Sequence, residues 1–311
     1  MSAENADLEA GEMICCACCG IAGGDDVTLK NCTACYLVKY CSIKCQREHR
    51  PQHKRECKKR AAELKDELLF KQPESSHLGD CPICLLPLPF PKSQDKVMST
   101  MYSCCCKLVC NGCVHANTLR ELQERLPPSC PFCRRRAPRS EEEGLLNAMK
   151  RVEANDPAAL CNMSIYHDLK GDHATALEYW KKAAALGHAE SHYQLSNAYE
   201  EGRVVGKDMK KFMYHAEQAA IGGHDVARHN LGVEELKKGK VERAAKHWII
   251  AAKIGHDFSV EKLKELYAEG IVTKEDFTAA LRGYQAAVHA TKSTQRDAAE
   301  AARRGIGKSV T

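Results

Sequence analysis

The residues able to do chemistry in this chain are thiols recurring at short, regular spacings. Cys16 and Cys19 are separated by two residues, as are Cys32 and Cys35. Cys41 and Cys45 are separated by three, and so are His53 and Cys57. A second series follows: Cys81/Cys84, the triplet Cys104, Cys105, Cys106, then Cys110/Cys113 and Cys130/Cys133. A C-x-x-C turn brings two sulfurs to one side of the backbone, where both reach a metal at about 2.3 Å. On a helix, residues four apart share a face, so the two wider pairs each present two ligands as well. Of the 19 cysteines, only Cys161 lies beyond Cys133.

Disulfides and zinc are the two usual reasons for such density. Met1 to Met13 is acidic with no apolar core, unlike a signal peptide, and no apolar run approaches the roughly 18 residues that cross a bilayer. The expectation is an intracellular, cytoplasmic or nuclear protein whose thiols stay reduced and take zinc. Each half of the cysteine-rich region is too short, at about 45–55 residues, to hold itself together by apolar burial alone. Structural zinc supplies about 10–16 kcal/mol per site, enough to decide folding.

The run Tyr40-Cys41-Ser42, Cys45-Gln46, His49, His53-Lys54 and Cys57 resembles the MYND zinc finger. The resemblance implies interleaved sites, Cys16, Cys19, Cys41 and Cys45 on one zinc and Cys32, Cys35, His53 and Cys57 on the other. Two departures stand out: Arg50 where the family commonly has tryptophan, and a slightly long gap between Cys19 and Cys32. Cys15/Cys18 has the same spacing as Cys16/Cys19; Gly20 after the second pair favours the latter. His49 has the wrong spacing to Cys57 for a ligand. Fingers of this family receive short, often proline-rich peptides.

The second series resembles a RING finger. That implies Cys81, Cys84, Cys110 and Cys113 at one site, with Cys130 and Cys133 at the other. The usual C-x-H-x-x-C lead-in here reads Cys105-Cys106-Lys107-Leu108-Val109-Cys110. A protonated lysine has no lone pair for a metal. Cys105 is the first substitute, with Cys104 or Cys106 as its partner and His115 behind them. Four zinc ions are therefore expected. The resemblance further implies contacts to a ubiquitin-conjugating enzyme through Ile83, Pro131 and Arg134.

Around these modules the chain divides as follows: residues 1–13 disordered, 14–58 the first finger, 59–79 a helix-prone stretch and linker, 80–136 the second finger, and 137–155 a linker and helix capped by Ser140. Then the texture changes. Ala183-Ala184-x-x-Gly187 recurs at Ala219-Ala220-x-x-Gly223 and Ala251-Ala252-x-x-Gly255, with a weaker copy at Ala286-Ala287. Leu195, Tyr199 and Gly202 recur as Leu263, Tyr267 and Gly270. The pattern predicts helix pairs that must stack to bury their faces. Asp156, Asp208 and Thr273 stand at helix starts. The segment 156–290 resembles Sel1-like repeats, relatives of the tetratricopeptide repeats that hold other proteins; 291–311 reads as a tail. The expected fold is small zinc-stabilised α+β modules, MYND and a RING-like cross-brace, followed by an all-α Sel1-like repeat solenoid.

The leading functional expectation is an adaptor of ubiquitin-ligase type: fingers and repeats recruit protein partners, and the second finger recruits a conjugating enzyme. The alternative is a non-enzymatic zinc-finger scaffold, or a transcriptional or chromatin-associated adaptor. Nucleic acid is a poor fit: the net charge is only +5, and aromatic residues are 6% and do not interleave with the basic runs. No nucleotide loop, nucleophile elbow or H-E-x-x-H motif is present.

Overall fold

The computed structural model describes residues 15–90, 98–202 and 204–307, with backbone alone for 305–307. The expectation for residues 1–13 lies outside the described residues. The chain forms two compact units, divided between Leu69 and Phe70.

In the first unit, β1 (Lys30–Asn31) pairs antiparallel with β2 (Lys39–Tyr40), Lys30 opposite Tyr40, and one long helix, α1 (Ile43–Leu69), follows. Its core is Cys16, Cys32, Cys35 and Tyr40, with Leu29, Val38, Cys41, Cys45 and Cys57 against them. A core made chiefly of thiols buries too little apolar surface to be stable alone. Cys45, His53 and Cys57 stand on α1, while Cys41 precedes its first turn. Beyond Cys57 the helix continues through the charged stretch, where Arg60 reaches both Glu63 and Glu67 at 3.3 and 2.8 Å. Such spacings support an exposed helix.

The second unit begins with a two-stranded sheet, β3 (Ser99–Tyr102) against β4 (Lys107–Cys110), followed by α2 (Asn111–Gln123). Its helices continue as α3 (Glu141–Glu153), α4 (Pro157–Leu169), α5 (His173–Ala185), α6 (Ala189–Glu201), α7 (Met209–Ile221), α8 (Asp225–Lys237), α9 (Val241–Lys253), α10 (Asp257–Ala268), α11 (Lys274–Ala290) and α12 (Thr294–Gly307). Consecutive helices pair as α4/α5, α6/α7, α8/α9 and α10/α11, and each pair packs on the next through α5/α6, α7/α8 and α9/α10. This is an all-α repeat stack. Asp156, Asp208 and Thr273 cap α4, α7 and α11 by accepting first-turn N–H groups. Ser140 does the same for α3 from Glu143.

The alanine pairs are the contact surface: Ala183, Ala219, Ala220, Ala251 and Ala252 are fully buried. The glycine after each pair ends its helix with a left-handed turn, Gly187 at φ 81° and Gly223 at φ 82°. The next residue, always histidine, closes the turn: the His188, His224 and His256 N–H groups donate to Ala183, Ala219 and Ala251. The Ala286-Ala287 copy lacks that glycine, and α11 runs on to Ala290.

Two stretches differ from expectation. Residues 75–77 are docked rather than free: His77 N–H donates to the Gly223 carbonyl at 3.0 Å, and the His77 ring stacks on His224 at 4.1 Å. The segment read as a tail contains α12, which packs on α2.

Candidate metal centres

Four turns of one design build the ligand pairs. In each, the N–H of the first cysteine bonds a carbonyl across the turn, and the residue after the second cysteine bonds back to the first. Cys16 donates to Ile21, Cys32 to Val38, Cys81 to Leu86 and Cys130 to Arg135, at 2.8–2.9 Å. Gly20, Tyr36, Leu85 and Arg134 return bonds at 2.9 Å, all with positive φ, 74°, 59°, 56° and 62°. Three of the four therefore hold a side chain where glycine is preferred.

These turns and helix starts assemble four groups whose ligand atoms lie within 4.8 Å of one another: Cys16, Cys19, Cys41, Cys45; Cys32, Cys35, His53, Cys57; Cys81, Cys84, Cys110, Cys113; and Cys104, Cys105, Cys130, Cys133. In each unit the first pair joins the third and the second joins the fourth. Tetrahedral zinc with Zn–S of about 2.3 Å sets its sulfurs about 3.8 Å apart. The Cys19–Cys41 and Cys41–Cys45 sulfurs are 3.6 Å apart and Cys32–Cys57 3.7 Å. Cys81–Cys113 is 3.9 Å, Cys84–Cys110 3.7 Å, Cys105–Cys130 3.8 Å and Cys104–Cys133 3.3 Å. His53 turns Nε2 to Cys35 at 3.2 Å. These spacings suit a shared cation and far exceed a bonded disulfide of about 2.05 Å.

The electrostatics point the same way. Burial pushes the Cys16 thiol up, but N–H groups of Cys19, Cys41 and Cys18 outweigh it and bring Cys16 down to about 6. Cys32 is likewise brought to about 6 and Cys81 to about 7, against burial, by neighbouring N–H donors. Other thiols of the groups move oppositely: hydrogen bonds with Cys19 and Cys45 hold the proton on Cys41 up to about 12. Burial and the Cys110 sulfur raise Cys113. Four thiolates cannot coexist in one pocket without a cation, and a divalent metal displaces those protons. Bound there, zinc is coordinatively closed and supplies folding energy, not a reactive water.

The alternatives left open in the sequence separate in space. Cys15 is exposed, and Cys18 sits beside Cys45 and Glu48 rather than in a group of four. Cys106 is buried, its thiol facing the Ser103 carbonyl, and Lys107 is exposed at the start of β4. His49 Nδ1 meets the Tyr40 hydroxyl at 3.0 Å, and its ring stacks on His53. It steadies a ligand instead of being one.

Of the expected enzyme contacts, Ile83 is 40% exposed, Pro131 is buried, and Arg134 is exposed. Arg134 donates to Asn117 Oδ1 at 2.8 Å. Asn117 in turn bonds Glu121, which also accepts from the Ser129 N–H and hydroxyl. This Asn117–Glu121 brace was invisible in the sequence, where both look like ordinary helix residues. Leu119, Leu122 and Phe132 are exposed on the same finger.

A search of the curated proteins found no match. Among solved structures, a Sel1 repeat protein from Oxalobacter formigenes is similar, with 24% identity over 51% of this chain and 48% of that one, at a TM-score of 0.43. A protective antigen of uropathogenic Escherichia coli strains displaying an SLR fold gives 22% identity over 55% of this chain and 37% of that one, at a TM-score of 0.38. The chain thus spans about half the length of the first and less of the second. Residues 16–57 match the family model of the MYND finger, a span that takes in both four-ligand groups of the first unit.

Proposed function

We propose that this chain is a zinc-stabilised adaptor that gathers protein partners, and that its second finger recruits a ubiquitin-conjugating enzyme. Each of the four ligand groups holds one structural zinc. The first finger, similar to peptide-receiving MYND fingers, exposes Tyr36, Leu37 and Ile43, side chains suited to an apolar peptide. The helical stack holds a further partner. Thiols that hold zinc must stay reduced, which supports a cytoplasmic or nuclear setting.

The observation that carries the ligase reading is the braced presentation of Arg134. It leaves the last ligand turn of the second finger held by Asn117, while Ile83 projects from the first. In the reaction, an acceptor amine attacks the thioester carbonyl between ubiquitin and the conjugating enzyme, whose thiolate departs. The finger supplies orientation and no nucleophile. The test is ubiquitin chain formation with a panel of conjugating enzymes. Wild type should be active, and Ile83→Ala and Arg134→Ala should each reduce it at least tenfold. Equal activity in all three sinks the ligase reading.

The second reading is a scaffold that only binds. The burial of Pro131, one of the three expected contacts, favours it. Inactivity with every conjugating enzyme, together with retained zinc, would select it.

A further inference from the structure

The second finger does not end with its own cysteines. Arg296, on α12, is separated by 212 residues from Cys84 and lies only 9% exposed against the first ligand turn of that finger. Its Nη1 donates to the Pro87 carbonyl at 2.7 Å and to Thr291 at 2.7 Å; its Nη2 donates to the Leu86 carbonyl at 3.2 Å and to the Cys84 sulfur at 3.5 Å. Leu86 is the carbonyl that also receives the Cys81 N–H and so closes the turn.

The approach of α12 is permitted by one residue of the ligand pair Cys110-Asn-Gly-Cys113. A Cβ on Gly112 would stand 2.8 Å from the Arg296 nitrogen and 2.9 Å from its Cγ. The glycine is there because another backbone passes over it.

A zinc held by four thiolates carries net negative charge, and burying it requires compensation. The guanidinium is a planar fork of donors, able to bond a thiolate and two carbonyls together. We propose that Arg296 is a positioning residue for the zinc held by Cys81, Cys84, Cys110 and Cys113, and that α12 is therefore an integral part of the second finger. The proposal rests on the reading that this group holds zinc. The arginine offsets the charge of the thiolates and clamps the turn that carries two of them. Through it, the finger is fastened to the end of the helical stack from which α12 departs.

The test uses the full chain loaded with zinc and measures zinc release to a colorimetric chelator, alongside total zinc by mass spectrometry. Outer partners of metal ligands typically alter affinity 10–100-fold. Arg296→Gln should release one zinc equivalent at least tenfold faster than wild type, with the others unchanged. Arg296→Lys, which keeps the charge and loses the fork, should fall between. Circular dichroism should show the helices of both variants intact. Release at the wild-type rate in Arg296→Gln, or equal acceleration of every equivalent, would overturn the proposal. The site itself is checked with Cys113→Ser: if its zinc content equals that of wild type, the zinc reading of this group fails and the proposal with it.

Discussion

Gly187 and Gly223 occupy equivalent helix ends, at φ 81° and 82°, yet their surroundings differ. Nothing lies within 4 Å of a Cβ placed on Gly187. At Gly223 the same atom would be 2.5 Å from the Ser75 carbonyl oxygen and 3.2 Å from the His77 nitrogen, whose N–H bonds the Gly223 carbonyl. Gly187→Ala should therefore cost only the left-handed backbone strain, about 1 kcal/mol. Gly223→Ala should cost that strain, about 1 kcal/mol for the lost hydrogen bond, and about 1–2 kcal/mol for the overlap. The expected total is about 3–4 kcal/mol, a gap of roughly 2 kcal/mol or more between two chemically identical changes. Both tryptophans, Trp180 and Trp248, lie in the helical stack, so urea unfolding followed by their fluorescence reads the relevant part of the chain. Amide exchange near His77 should quicken in the Gly223 variant alone. Equal costs for the two substitutions would refute the docking of residues 75–77.

Two further outcomes follow from particular side chains. Burial, reinforced by His192 and Lys211, lowers His215 to about 4, and burial with His256 and Lys262 lowers His229 to about 4. The folded chain keeps both neutral while the unfolded chain protonates them near 6.5. Their contribution is present above about pH 6.5 and is lost as pH falls towards 4. The fluorescence-detected melting temperature should drop across that window, and His229→Gln should flatten the drop; a wild-type profile flat from pH 7 to pH 4.5 contradicts it. Leu85 is exposed and holds a positive φ of 56°. Leu85→Gly should stabilise the second finger by about 1 kcal/mol, seen as a higher urea midpoint for that finger; a lower midpoint would show that the side chain contributes more than the strain costs.

What could be read from the residues was what they do locally. A C-x-x-C spacing is a property of one turn, so the pairs were visible, and the joining of first pair to third came with the family resemblances. Ala183-Ala184-x-x-Gly187 was readable because close helix contact demands small residues and a left-handed turn demands glycine. The choice within the 104–106 triplet was not, because three adjacent thiols are chemically alike. What separates them is the backbone: Cys106 takes φ 50° and turns its thiol to Ser103. Contacts distant in sequence were the hardest to see. Arg296 looks like one more basic residue of a polar tail, and Gln72 to Ser76 looks like a solvated linker. Gly223 was read as a helix terminator, which it is, and nothing local shows that Ser75 lies over it.

Zinc content, read by native mass spectrometry, decides whether all four ligand groups are filled. The wild-type chain should carry four zinc ions, Cys105→Ala three, and Cys106→Ala four. Three on the wild-type chain, or four on Cys105→Ala, would contradict the assignment of Cys104, Cys105, Cys130 and Cys133 as the fourth site.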